Sequence, residues 1–329
     1  MKTKLSTLSV SCYLLVIVTF SVVFAMGFGT AELGFNELAT CIIAECERPI
    51  YATILVDIRF PRVLMGFLAG FALAAAGALM QNVTRNPLAD PYLFGIVAGA
   101  GLGATLSGYL PEQYQMFTLP VAAFMGAMLS VGIVMLVLMQ NNWRKIEHLL
   151  LAGVAVSFLL SAITSFILYF GEAFASNRVI FWLMGSLSRA DYSALQWSFP
   201  VIAVCLTIAL IFSRQLDALL LSDESAKTLG VNVDRLRLLS LVLCAAMTAV
   251  IVSYCGGIGF VGLMIPHIVR PFIGITTAKL LIGAGVVGGC FLIWIDVFAR
   301  TIISGQEIPI GVITSVIGSL FFLMLMRKM

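Results

Sequence analysis

PRVLMGFLAGFALAAAGALMQ, residues 61–81, carries one charge, Arg62 at its second position, and no further polar side chain until Gln81. A helix needs roughly 20 mostly apolar residues to cross a bilayer, so this run predicts a membrane span. Small residues recur along it at every fourth position, Gly66, Gly70, Ala74 and Ala78, and such a stripe lets helix backbones approach closely.

Similar runs lie on either side. Leu8 to Phe28, Pro91 to Leu110, Met116 to Gln140 and His148 to Phe170 complete five spans in the first half; Tyr192 to Phe212, Leu236 to Cys255, Ile258 to Phe272, Ala278 to Ala299 and Ile308 to Met326 make five in the second. The first follows Lys2 and Lys4 like a signal peptide, but it is too long for a typical h-region and reads as an uncleaved span. Hydrophobic residues are 61% of the chain and charged ones 11%, against about 25% in a soluble domain. Ten spans of roughly 20 residues leave only short connections. The expected fold is an all-α polytopic membrane protein, a single transmembrane domain over residues 1–329, with outer loops at 29–60 and 171–191 and an inner segment at 213–237. Arg178 to Leu187 reads as a short amphipathic helix in the second outer loop.

Charge sets the orientation. With ten crossings and the N-terminus inside, the cytoplasmic segments hold 13 of the 19 basic residues. Basic residues concentrate on the cytoplasmic side of membrane proteins, so both termini are expected there. Pro87, Pro91 and Gly95 are echoed weakly by Pro266, Pro271 and Gly274, a hint of inverted halves. The net charge of +3 is small and scattered, and nucleic-acid binding is not suggested.

Ionisable residues are nearly absent from the span centres, where they would default to functional candidates. An ion-coupled secondary transporter usually needs a carboxylate or unwound carbonyls near the midplane, and no central carboxylate is present. No phosphate loop, zinc-protease or nucleophile-elbow motif occurs, so an enzyme built on His267, Asp296 and Glu307 has no support. Asp296 and Arg300 are spaced to pair on one helix face; Glu307 suits a helix N-terminus. Five cysteines, Cys12, Cys205, Cys244, Cys255 and Cys290, sit alone in apolar runs as small hydrophobes. Cys41 and Cys46 share the first outer loop, where a disulfide requires irregular backbone. Two further small-residue stripes carry hydroxyls: Ser157, Ser161 and Ser165 after Gly153, and Ser315 and Ser319 after Gly311. Periodicity leaves three readings open for them, helix packing, a dimer seam or a polar pathway.

Six strings in order narrow the choice: IRFPR at 58–62, GALMQ at 77–81 with NPLADP at 86–91, LLAGV at 150–154, FWLMGS at 181–186, GIGFVGLMIPH at 257–267 and EIPIGV at 307–312. Together they resemble the iron-chelate and cobalamin permease family, FecCD type, of ATP-binding-cassette importers. The resemblance implies a ten-span homodimeric permease of the bacterial inner membrane. It implies two cytoplasmic ATPase subunits, which hold the ATP and magnesium, and a periplasmic substrate-binding protein; this chain itself would carry no cofactor and no catalysis. Ala226, Leu229 and Gly230 match the coupling helix that docks on the ATPase. Ser157, Ser161, Ser165 and Ser315 fall on pathway-lining spans, and Arg144, Lys145, Ile146 and Glu147 on the inner gate region. Arg59, Arg62 and Arg300 match arginines that meet acidic residues of the binding protein. A ferric siderophore is the leading substrate, with cobalamin, haem and oxyanions carried on the same fold.

Overall fold

The computed structural model describes residues 7–29, 40–41, 49–110, 112–140, 146–303 and 305–327. Thirteen helices are numbered here in chain order: α1 Thr7–Gly27, α2 Pro49–Thr84, α3 Ile96–Ser107, α4 Glu112–Gln140, α5 Ile146–Phe170, α6 Ala173–Leu183, α7 Tyr192–Ile211, α8 Ser213–Leu221, α9 Asp223–Thr228, α10 Val233–Cys255, α11 Val261–Ile273, α12 Thr277–Thr301 and α13 Ile310–Met326. Among the described residues no strand forms.

Helix α2 runs through the middle. From Pro61 to Thr84 most of its residues are buried on every side, which fits a helix that is apolar all round. Its principal neighbour is α12, followed by α10 and α11. The small-residue stripe explains how they come so close. A Cβ on Gly70 would lie 2.1 Å from the carbonyl oxygen of Gly288 in α12, and one on Gly77 only 1.9 Å from that of Gly262 in α11. Backbone therefore meets backbone along α2.

The end of α2 that the charge distribution is expected to place outside, called outer below, departs from α-geometry. Pro61 has no N–H and its ring excludes the carbonyl four residues back, and the preceding turn, Ile54–Arg59, widens to a π-helix in which the Phe60 N–H donates to the Leu55 carbonyl. Such a bulge resets the direction of the side chains that follow it.

Among the described residues six helices, α2, α4, α5, α7, α10 and α12, contain runs long and apolar enough to cross a membrane; four shorter apolar helices occupy the remaining expected positions, Leu15–Gly27 in α1, α3, α11 and α13. Helices of 12, 13 and 17 residues span about 18 to 26 Å at 1.5 Å per residue. Non-helical backbone precedes each of α3, α11 and α13, and inside a membrane protein such backbone must find its partners within the protein. Before α3, the span expected from Pro91 is broken: Asp90 accepts from the Tyr92 N–H at 2.8 Å to cap a 3-10 turn over Pro91–Phe94, and the left-handed Gly95 starts the helix proper. Before α11, the chain leaves α10 through Gly256 and enters α11 from Phe260, both with positive φ. The two irregular segments meet directly, since the Tyr92 hydroxyl donates to the Ile258 carbonyl at 2.9 Å and accepts from the Ile258 N–H at 3.0 Å. At the start of α13, the Ile310 and Gly311 N–H groups donate to the carbonyls of Gly185 and Met184 at 2.9 and 3.1 Å.

Two expectations need correction. The outer helix is Ala173–Leu183, earlier than Arg178 to Leu187, because Gly185 turns left-handed just beyond it. The proline echo does not mark equivalent positions: Pro87 and Pro91 stand in the α2–α3 connection, whereas Pro266 and Pro271 lie inside α11. Ser213 to Leu229 folds as two short helices, because Ser222 is extended and recaps the chain by accepting from the Ser225 N–H at 2.9 Å. Gly230 ends the second helix in a left-handed conformation. Cys205, Cys244 and Cys255 are free and buried. Cys41 is disulfide-bonded, and Cys46 lies outside the described residues.

The contact at Gly77 generates a test. Gly77→Ala drives a methyl into the Gly262 carbonyl and is expected to destabilise the protein by about 1 to 3 kcal/mol, read as a lower Tm in detergent. Gly132→Ala, where a Cβ meets nothing within 4 Å, leaves Tm unchanged or slightly raised.

Candidate functional site

Two polar clusters sit at opposite ends of α2. The outer one gathers Arg59 and Arg62 from the bulged start of α2, Asp296 and Arg300 from the end of α12, and Glu307 from the connection to α13. The Arg62 guanidinium takes both carboxylates: its Nε and Nη2 donate to Asp296 at 2.9 to 3.1 Å, and its Nη1 and Nη2 donate to Glu307 at 2.7 and 2.9 Å. Arg300 lies one turn from Asp296, 3.5 Å from Nε to Oδ2, and Nη2 donates to the Ala25 carbonyl at 2.9 Å. Arg59 donates from Nη1 to the Met26 carbonyl at 2.7 Å. The cluster thus joins α1, α2, α12 and the start of α13. The hydrogen bonds from Arg62 hold the Glu307 carboxyl below the usual carboxylate range.

The sequence reading set Arg59, Arg62 and Arg300 facing a partner at the outer surface. All three are instead buried and turned inward. A guanidinium removed from water needs carboxylates and carbonyls to replace its hydration, and here those groups come from the chain itself. Asp296 pairs with Arg300 as expected, but its stronger partner is Arg62, 234 residues away. Sequence periodicity carries no signal for so distant a pair.

The inner cluster is built on two aspartates of the α8–α9 element. Asp223, the first residue of α9, holds Arg237 of α10 bidentately, at 3.0 Å from Nη1 to Oδ2 and 2.8 Å from Nη2 to Oδ1, and it also pairs with Arg85, the left-handed residue that closes α2. Asp217 of α8 accepts from the Thr277 N–H at 2.7 Å, capping the first turn of α12. Asn82 Nδ2 donates to Thr277 Oγ1 at 3.1 Å, and Arg270 of α11 donates to Gln81 Oε1 at 3.1 Å. Neither Asp217 nor Asp223 was assigned a role from the sequence. Of the expected coupling residues, Ala226 is fully buried, whereas Leu229 is 68% exposed and Gly230 has open space around its Cα.

On α5, Ser157 returns its hydroxyl to the Gly153 carbonyl at 2.7 Å, while Ser161 and Ser165 are exposed. Ser157 and Ser161 line a groove of about 250 Å³ with Tyr92, Gly153 and Phe158. Ser315 on α13 is half-buried. Arg144 and Lys145 lie outside the described residues; Ile146 and Glu147 begin α5. His267 stacks edge-on against Phe321 and takes no part in either cluster. Among the described residues no group of three or more histidine, cysteine or acidic side chains could hold a metal ion.

The sequence profile of the FecCD transport family matches residues 15–328. The chain belongs to that family. FecCD relatives cover most of it: the cobalamin import system permease BtuC of Halobacterium salinarum is 39% identical over 82% of this chain and 72% of the relative. The hemin transport system permease HmuU of Yersinia pestis is 35% identical over 96% of this chain and 94% of its own. Among solved structures, "An inward-facing conformation of a putative metal-chelate type ABC transporter" superposes with a TM-score of 0.85 at 28% identity, covering 97% of this chain and 98% of that one. The protein is therefore a multi-pass ABC importer permease, not itself a catalyst and without a cofactor of its own. An ABC permease of this kind works with an ATPase and a binding protein. The ion-coupled transporter reading falls with this assignment.

The outer cluster yields a prediction. Arg62→Met leaves Asp296 buried without its principal partner, which typically costs about 3 to 5 kcal/mol. Glu307→Gln, at the more exposed edge of the cluster, is expected to cost about 1 kcal/mol, near the low end for a hydrogen bond to a charged group. Thermal unfolding of both purified variants checks the ranking, and equal Tm values contradict it.

Proposed function

We propose that this FecCD permease imports a ferric siderophore or related iron chelate. Support comes from the relatives, which include the Fe(3+) dicitrate permease FecD of Escherichia coli and the Fe(3+)-citrate permease YfmD of Bacillus subtilis alongside the haem and cobalamin permeases. The FWLMGS string at 181–186 resembles siderophore permeases somewhat more than cobalamin ones. In this reading ten helices cross a bacterial inner membrane, both termini are cytoplasmic, a second copy completes the permease, and two ATPase subunits bind inside. Inverted halves are supported by the two broken connections, α2 to α3 and α10 to α11, which follow helices of opposite direction and meet at Tyr92 and Ile258.

The translocation path runs beside α5, and the observation that carries this is the groove bearing Ser157 and Ser161. Ser165 and, from α13, Ser315 extend it, with the gate region at Arg144 to Glu147 at its inner end. The exposed apolar side chains of α5, among them Leu151, Phe158 and Phe166, offer a face for the second copy. Leu229 and Gly230 meet the ATPase, and buried Ala226 fixes their helix. Arg59, Arg62 and Arg300 serve binding-protein docking by holding the outer ends of α1, α2 and α12 as one platform, with acidic groups of the binding protein competing for the guanidiniums of this rim.

Two measurements test the proposal. ATP hydrolysis by the reconstituted complex is expected to respond to binding protein charged with ferric siderophore and not with haem, cobalamin or molybdate; a response confined to one of the latter reassigns the substrate. Cysteines replacing Ser157, Ser161 and Ser165 in a background without native cysteines are expected to react with an impermeant thiol reagent in at least one nucleotide state. Protection in all states returns that stripe to helix packing.

A further inference from the structure

The inner cluster does more than cap helices. The α8–α9 element has two polar grips and they fall on different helices: Asp217 holds the first turn of α12, and Asp223 holds both the end of α2 through Arg85 and the start of α10 through Arg237. Helices α2 and α12 are themselves joined tightly, by backbone contact at Gly70 and Gly288 and by the Asn82 to Thr277 bond at the inner end. At their outer ends Arg62 and Asp296 clamp the same two helices together. The pair is fastened at the top, along its length and at the bottom, so it moves as one body. Its reach is large: the 25 residues Phe60–Thr84 extend about 37 Å at 1.5 Å per residue.

We propose that Arg85 is a positioning residue for coupling: through Asp223 it ties the ATPase-facing α8–α9 element to the rigid α2–α12 pair, so that displacement of that element is delivered to the outer arginine cluster. The inference rests on the reading that Leu229 and Gly230 meet the ATPase. Its physical basis is the division of labour at Asp223. The bidentate Arg237 pair and the Ser222 cap hold α9 against α10 without using Arg85. The Arg85 pair is a charged link from α9 to α2, beside the packing of α8 on α2 and α12 and the Asp217 bond to Thr277. Left-handed backbone at Arg85, φ 51°, ends α2 at the residue that makes the pair and so leaves few bonds between the link and the helix it would move.

The test uses the assembled transporter in liposomes. Arg85→Gln removes the link to α2 and leaves Asp223 with Arg237. Assembly with the ATPase and basal ATP hydrolysis are expected to stay at the wild-type level, while substrate moved per ATP hydrolysed falls roughly tenfold, within the range of ordinary coupling energies. ATP-driven release of binding protein from the outer face is expected to weaken in parallel, and Arg85→Lys to restore most of both. A merely structural role would lower yield and Tm and leave the transport-to-hydrolysis ratio untouched. Wild-type ratio in Arg85→Gln overturns the inference. If that variant does not assemble, the ratio is read in Arg85→Asn, which also removes the charge and tolerates the left-handed backbone, and a wild-type ratio there likewise overturns the inference. Leu229→Glu separates the underlying reading: if it leaves assembly and transport unchanged, the ATPase contact has been misassigned, whereas a loss there with normal coupling in Arg85→Gln removes the Arg85 inference alone.

Discussion

Contact between backbones along α2 is the constraint on which the rest of this molecule depends. In lipid, apolar side chains gain nothing by leaving the solvent for one another, so helices associate through close packing and polar bonds. Gly70 and Gly77 let α2 touch α12 and α11 at their carbonyls. With both neighbours that near, the side chains at the ends of α2 can reach groups on α11, α12 and the connections between helices. The outer and inner polar clusters exist because the helix axes are close enough for Arg62 to meet Asp296 and for Asn82 to meet Thr277.

The three short apolar helices α3, α11 and α13 follow from the same packing. Each is shorter than the roughly 20 residues of a typical span, and each is preceded by non-helical backbone whose N–H and C=O groups would be very costly to expose to lipid. Burial against α2, α5 and α10 lets these segments satisfy one another: Tyr92 with Ile258, Ile310 with Gly185, Ser186 with Cys255. Irregular chain deep in a membrane protein is what a transporter needs if parts of it are to shift without unwinding a whole helix. The groove bearing Ser157 and Ser161 opens beside one such segment, at Tyr92 and Leu93.

Charge is distributed according to the same logic. Within the described residues the ion pairs cluster at helix ends, Arg62 with Asp296 and Glu307 outside, Asp223 with Arg85 and Arg237 inside. An arginine buried near an outer boundary is stable only with its carboxylates supplied, and α12 and its connection to α13 supply both. The same residues clamp the ends of α2 and α12 together.

The sequence by itself determined that the chain is helical and membrane-embedded, where its apolar helices lie, and which family it joins, because twenty-residue apolar runs and ordered motif strings are local properties of the chain. It also marked the small-residue stripe of α2 and the helix-spaced pair Asp296 and Arg300, which are local as well. Only the tertiary structure decided that Arg62 spends its donors on Asp296 and Glu307, that Arg59 and Arg300 turn inward, and that Asp217 and Asp223 grip α12, α2 and α10. Those partners stand tens to hundreds of residues apart, and no periodicity links them. Their meeting is fixed by how closely the helices approach, which depends on carbonyls and missing side chains facing each other across three dimensions.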